Sequence, residues 1–294
     1  LKKFLTSLCA GNAIPVAPES ALDEEYSQTP GDNSHYVEGK SRYIWFPDGD
    51  GVPHLVDLLQ PPEEDILRNR NVYRFTVVVH GWNSNGNSLI NILLVGAFLD
   101  ESDCNVIVVD WRSAANDLYT TAVGAVPSVG QFLGNFLSWL ISNHGSNWNN
   151  VHLVGFSLGA HVVGNAGRTA GRRNIYLSGL DPAGPLWGSN NNTLNANDGQ
   201  YVEVIHTDGG ILGINDPIGR TNFYPNGGRN LQPGCFESTC SHSRVYWLFA
   251  ATIWHHHLIG RQCTDLTQAN SNQCTGGNLP MGNAVLTKNG YLVS

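Results

Sequence analysis

Ser157 lies in the run Gly155-Phe156-Ser157-Leu158-Gly159, and a serine in that spacing can act as a nucleophile. A hydroxyl presented on a tight strand-to-helix turn needs small residues two places to either side, because a Cβ there would collide with the adjoining backbone. Both flanks fit. Val151-His152-Leu153-Val154 reads as a short buried strand, and Leu158 to Ala166 as a helix of small residues that can pack closely on a sheet. The chemistry expected of such a serine is transfer of an acyl group through a covalent intermediate.

The hydroxyl is weak by itself, so a histidine must take its proton and a carboxylate must hold that histidine in the right tautomer. In hydrolases built on this turn the chain order is serine, acid, histidine, which confines the base to His206, His242 or His255 to His257. Asp181 is the best acid, because Ser178-Gly179-Leu180-Asp181-Pro182 sets a carboxylate directly after a strand candidate, where Pro182 halts pairing. Asp198, Asp208 and Asp216 are weaker rivals. His242 is the preferred base: it follows Cys240 and precedes the apolar run Val245 to Ile253, so a disulfide and a helix would fix its loop from both sides. His206, at a strand end beside Asp208, is expected to be a structural hydrogen-bonder and stays the second candidate. Oxyanion stabilisation needs two backbone N–H donors, assigned here to Leu158, next after the nucleophile, and Trp82, which Gly81 can turn toward the site. His80 then organises that loop.

These residues must be positioned by alternating strands and helices. Arg74 to Val79 reads as a buried strand, Leu89 to Leu99 as a helix, and Val106 to Val109 as a strand. Behind Pro127 and Ser128, Val129, Phe132, Leu133, Phe136, Leu137, Leu140 and Ile141 recur at helical steps. Further strands are predicted at Asn174 to Leu177 and Tyr201 to Ile205. Alternation of this kind predicts an α/β fold, a mostly parallel sheet covered by helices on both faces. The triplet His255-His256-His257 fans out around a helix, which suits a helix end rather than a metal site, and no metal ligand set is assigned.

The chain has 294 residues with 41% hydrophobic content, enough for a large core in one domain, and a formal charge of -8 argues against nucleic acid. Lys2-Lys3 before Phe4 to Ala10, with small residues at Gly11 and Ala13, resembles a signal peptide over residues 1–13. Residues 14–40, rich in Pro, Ser, Asp and Glu, read as a leader or pro-segment. The expected destination is secreted and extracellular, with no transmembrane segment. Loss of Cys9 with the signal would leave five cysteines; proximity pairs Cys235 with Cys240 and Cys263 with Cys274, and leaves Cys104 as an inert buried thiol. Asn191-Asn192-Thr193 is a glycosylation sequon in a polar run.

With Val79-His80-Gly81-Trp82, Val109-Asp110-Trp111, Gly155-Phe156-Ser157-Leu158-Gly159-Ala160-His161, Leu180-Asp181-Pro182-Ala183, Ile205-His206-Thr207-Asp208, Tyr224-Pro225-Asn226-Gly227-Gly228 and Cys240-Ser241-His242 in this order, the chain resembles the pancreatic lipase family. The resemblance covers residues 41–294 and is nearest the short insect neutral lipases and phospholipase A1 relatives. It implies an α/β-hydrolase fold, the triad Ser157, Asp181 and His242, and an oxyanion hole at Trp82 and Leu158. The implied activity is a secreted serine carboxylic-ester hydrolase that cleaves acyl esters of glycerolipids, of phospholipase A1 type. The alternatives are a triacylglycerol or galactolipid lipase and, in another class, a non-catalytic lipid carrier like the family's yolk proteins.

Four departures from the family bear on what is expected. Phe156 stands where most members have histidine, which reads as tolerated variation. The C-terminal β-sandwich of larger relatives has no counterpart, so a monomer independent of colipase is expected at glycerolipid or phospholipid surfaces. Asn195 and Asp198 match two aspartates of the family's calcium site, and with one carboxylate gone calcium should bind weakly or not at all. The lid is the fourth departure: only Phe236-Glu237-Ser238-Thr239 separate Cys235 from Cys240, barely one helical turn, so the serine should stand uncovered. The short segment Gly209 to Gly219 is a candidate groove wall.

Overall fold

The computed structural model describes residues 41–46, 54–57, 74–102, 104–144, 147–288 and 292–294. The predicted signal peptide at 1–13 and leader at 14–40 lie outside the described residues. Strands β1 (Ser41–Phe46), β2 (His54–Asp57), β3 (Arg74–Val79), β4 (Cys104–Val109), β5 (Val151–Phe156), β6 (Tyr176–Leu180), β7 (Tyr201–Ile205), β8 (Thr221–Phe223), β9 (Ile259–Cys263), β10 (Asn278–Pro280) and β11 (Leu292–Val293) form one sheet. Its order is β10-β9-β11-β8-β7-β6-β5-β3-β4-β1-β2. Pairing is parallel from β1 through β4, β3, β5, β6, β7 and β8 to β11, and among the described residues antiparallel at the β1–β2, β11–β9 and β9–β10 edges.

The helices that cover the sheet are α1 (Leu89–Glu101), α2 (Tyr119–His144), α3 (Leu158–Thr169) and α4 (Ser238–His255). Strand residues alternate between two cores. Phe75, Val77, Val79, Ile107 and Val109 pack with Leu133, Leu137, Leu140, Val162 and Ala166 of α2 and α3. Val78, Val106, Val108 and Val154 pack with Leu94, Phe98, Val245 and Phe249 of α1 and α4 on the other face. A parallel sheet buried on both faces needs near-continuous apolar strands, and β3 and β4 supply them. This mostly parallel sheet with two helical layers is an α/β-hydrolase fold.

Three elements depart from the sequence reading. Helix α2 begins two turns before Pro127, which lies in its interior. Proline there removes a backbone donor, but Ala122 and Val126 are fully buried and anchor the preceding turns. Strand β6 runs to Leu180 rather than ending at Leu177, in register with β5 up to the Phe156–Leu180 pair. His242 sits within α4 and not in a loop before it, because that helix starts at Ser238 and takes in Cys240.

Both predicted disulfides, Cys235–Cys240 and Cys263–Cys274, are present, and Cys104 is a buried thiol facing the Phe98 carbonyl oxygen at 3.6 Å. Among the described residues no helix is long and apolar enough to cross a membrane. At the C-terminal side, Lys288 Nζ donates to Glu203 Oε2 of β7 and to the Gly282 carbonyl oxygen, which ties the last segment to the sheet.

Candidate active site

Ser157 occupies the turn between β5 and α3 with φ 54° and ψ −120°, a conformation that L-residues rarely adopt. Such strain costs about 1–3 kcal/mol and persists only where neighbours over-determine it. Here they do. The Ser157 amide donates to the Leu180 carbonyl oxygen at 3.0 Å. A Cβ on Gly155 would lie 2.2 Å from the Gly159 carbonyl oxygen, and one on Gly159 only 2.3 Å from that of Val79. The two glycines allow β3, β5 and α3 to meet at the turn, and the serine is left 8% exposed.

Asp181 follows β6 directly and is fully buried, its amide donating to the Ile205 carbonyl oxygen. Its Oδ1 accepts from the amides of Thr207 at 2.7 Å and Asp208 at 3.1 Å, while Oδ2 faces His242 Nδ1 at 2.6 Å. Oδ2 of an ionised carboxylate can only accept, so Nδ1 carries the proton and Nε2 is left as an acceptor. The His242 side chain is 11% exposed. Its ring lies 4.6 Å from that of Phe156, the residue before Ser157. Serine, acid and histidine thus come from the ends of β5 and β6 and from α4, at one edge of the sheet.

The end of β3 reaches the same place. A Cβ on Gly81 would lie 2.9 Å from Ser157 Cβ, so this loop passes beside that serine. Trp82 is half-exposed, with Nε1 donating to the Asp117 carbonyl oxygen at 2.8 Å and the ring edge-on to Tyr119. Leu158 is the first residue of α3, where an amide has no partner within the helix. His80 organises the loop: Nδ1 donates to the Gly81 carbonyl oxygen at 2.9 Å and Nε2 accepts from the Trp111 amide at 3.2 Å. Burial would raise the Asp110 carboxyl, but His80, Arg112 and the amides of Gly86 and Arg112 hold it far below the usual range.

The rival residues are engaged elsewhere. His206 is buried between the Ile214 carbonyl oxygen and Asn222 and stacks on Tyr224. Burial lowers its pKa. Asp208 turns its carboxylate onto the Leu212 amide at 3.0 Å, and burial raises its pKa. The turn from Asp208 to Gly213 caps the acid, since a Cβ on Gly213 would lie 2.5 Å from Asp181 Oδ1. Asp216 is exposed.

Sequence reasoning missed two supports. His161, on α3 one turn after Ser157, donates from Nε2 to the Ala183 carbonyl oxygen at 2.9 Å and accepts from the Leu194 amide at Nδ1, stacked on Trp187 at 3.8 Å. Burial pushes its pKa down to about 3. Arg168, at the end of α3, donates to the carbonyl oxygens of Asn191, Asn192 and Thr193 and pairs with Asp198 Oδ1 at 3.1 Å. The spacing of His161 and Arg168 along one helix was the available signal. Asp198 also accepts from the amide and side chain of Asn195, and burial, only partly offset by these partners and Arg168, raises its pKa to about 6. The oxygens that could face a calcium ion at Asn195 and Asp198 are therefore turned onto a guanidinium and an amide, which does not fit a divalent cation. Asn191 itself is exposed, as a glycosylation site requires.

The sequence profile of the lipase family matches residues 6–284. The chain belongs to the lipase family. Lipoprotein lipase of Bos taurus is 39% identical over 168 residues, covering 54% of this chain and 35% of that one, and the Homo sapiens protein gives the same figures. That of Rattus norvegicus is 39% identical over 191 residues, covering 62% and 40%. The chain thus spans well under half the length of these relatives. A putative carboxylesterase structure from Lactobacillus plantarum, 13% identical with a TM-score of 0.29, covers 51% of this chain and 70% of its own, too slight a likeness to add to the topology.

Proposed function

We propose that this lipase-family chain is a secreted serine ester hydrolase in which Ser157 is the nucleophile, His242 the general base and Asp181 its orienting acid. The observation that carries this reading is the 2.6 Å contact from Asp181 Oδ2 to His242 Nδ1, beside a serine held at φ 54°. His242 takes the Ser157 proton at Nε2 as the hydroxyl adds to the ester carbonyl, and returns it to the departing alcohol. An acyl-serine remains, which water cleaves with the same base. The amides of Leu158 and Trp82 stabilise the oxyanion.

The substrate class is acyl esters of glycerolipids, with phospholipids cleaved at the first glycerol position. Support comes from the cover over the site. The loop closed by Cys235–Cys240 holds four residues, with Phe236 94% exposed and Glu237 immediately before α4. The turn after Asp208 is folded onto the acid. A cover this short leaves room for a bulky headgroup and offers little apolar wall to a third acyl chain. The site works without calcium or colipase in this reading, and the chain acts as a monomer at lipid surfaces.

Hydrolysis of phosphatidylcholine, monogalactosyl diacylglycerol and triolein, each with Ser157→Ala as control, tests the proposal. The expected order puts phosphatidylcholine first, with lysolipid lacking the first acyl chain as product. Faster cleavage of triolein or of the galactolipid would replace the phospholipase assignment, and full activity in Ser157→Ala would remove the mechanism. Failure of an organophosphonate to label Ser157 in the folded protein would instead indicate a lipid carrier.

A further inference from the structure

We infer that Phe156 is a positioning residue that fixes the plane of the His242 imidazole; this rests on the assignment of His242 as the general base. Phe156 ends β5, and its ring is wedged among three parts of the site. The His242 ring lies 4.6 Å away at 41°, and the Tyr246 ring 5.4 Å away and edge-on at 88°. His242 and Tyr246 are four residues apart on α4 and share a face, so Phe156 fills the notch between them. On its other edge, Cδ1 lies 3.3 Å from the position of a Cβ on Gly81, in the loop that carries Trp82.

The hydrogen bond to Asp181 holds one atom of the imidazole and leaves the ring free to rock about that contact. A rigid aromatic ring packed at 4.6 Å and tilted by 41° against the imidazole limits this freedom, so that Nε2 keeps one direction relative to Ser157, the next residue along from Phe156. The side chain also carries no donor or acceptor. Phe156 thus orients the base by contact with its ring.

The test uses purified full-length protein and a short-chain p-nitrophenyl ester, with activity expressed per folded molecule and Ser157→Ala alongside. Phe156→Ala should lower kcat by about 10- to 100-fold through misplacement of the base, with KM within about twofold of the parent. Phe156→Leu, which refills the space without a flat face, should recover most of the loss and stay about threefold below the parent. The rate of organophosphonate labelling of Ser157 should fall in step with kcat. A folded alanine variant with parental kcat, or one in which KM rises while kcat holds, overturns the inference. Should the alanine variant fail to fold, the leucine variant decides, and parental kcat there overturns it equally. An active Ser157→Ala control refutes the underlying mechanism instead, so the two failures are distinguishable.

Discussion

Replacement of Asp181 by asparagine separates orientation of the base from packing of the site. Oδ1 accepts two amides, from Thr207 and Asp208, and Oδ2 faces His242 Nδ1. In Asp181→Asn the amide oxygen must stay on the two backbone donors, because the flipped side chain would set its NH2 against both. Each buried donor left without an acceptor costs about 1–3 kcal/mol, so the flip is opposed by roughly 2–6 kcal/mol. The NH2 then faces His242, which can meet it only with a bare Nδ1, and the ring proton moves to Nε2. A base protonated at Nε2 cannot take the Ser157 proton. The expected loss in kcat is about 10³- to 10⁴-fold, or roughly 4–5.5 kcal/mol of transition-state stabilisation, while two of the three hydrogen bonds and the fold are kept. Steady-state hydrolysis of a soluble p-nitrophenyl ester, paired with a thermal melt, measures both effects. Activity within tenfold of the parent, with an unchanged melt, would refute the assignment of Asp181 as the orienting acid.

Gly159→Ala places a methyl 2.3 Å from the Val79 carbonyl oxygen and 2.6 Å from that of His80, so β3 and α3 must separate. Destabilisation of at least about 1–3 kcal/mol in denaturant melts, with loss of Ser157 reactivity, is expected, and parental stability would show that the turn is not close-packed. His161 has its pKa lowered from 6.5 to about 3, so below pH 6.5 the unfolded chain binds a proton that the folded chain refuses, and stability falls with pH down to about 3. His161→Gln should remove up to about 1.4 kcal/mol of this loss per pH unit in that window, and melts at pH 4.5 and 7.5 that differ as in the parent would argue against it. Chelation with EDTA should leave the melting temperature unchanged, whereas Arg168→Met should lower it by leaving Asp198 buried without its cation; a calcium-dependent melt in the parent would overturn this reading of the Arg168 cluster.

Much of the site was legible in the residues because its demands are local. The glycines around Ser157 must be small, since any Cβ there meets backbone, and a carboxylate that ends a parallel strand stands where such sites gather. The two buried strands before the elbow could be read from unbroken apolar runs. Other features depend on contacts between distant segments. Proline 127 reads as a helix start, yet burial of Ala122 and Val126 outweighs its missing donor. His242 reads as a loop residue, yet α4 takes in the cysteine before it. Phe156 reads as neutral variation until α4 brings His242 and Tyr246 against its ring. Residue types and order therefore determined the candidate reacting groups and the fold class that presents them. Only the tertiary structure decided which oxygen of Asp181 meets His242, what presses on the imidazole and which cation faces Asp198. Those pairings join residues dozens of positions apart, and their geometry is set by packing between layers that no local pattern encodes.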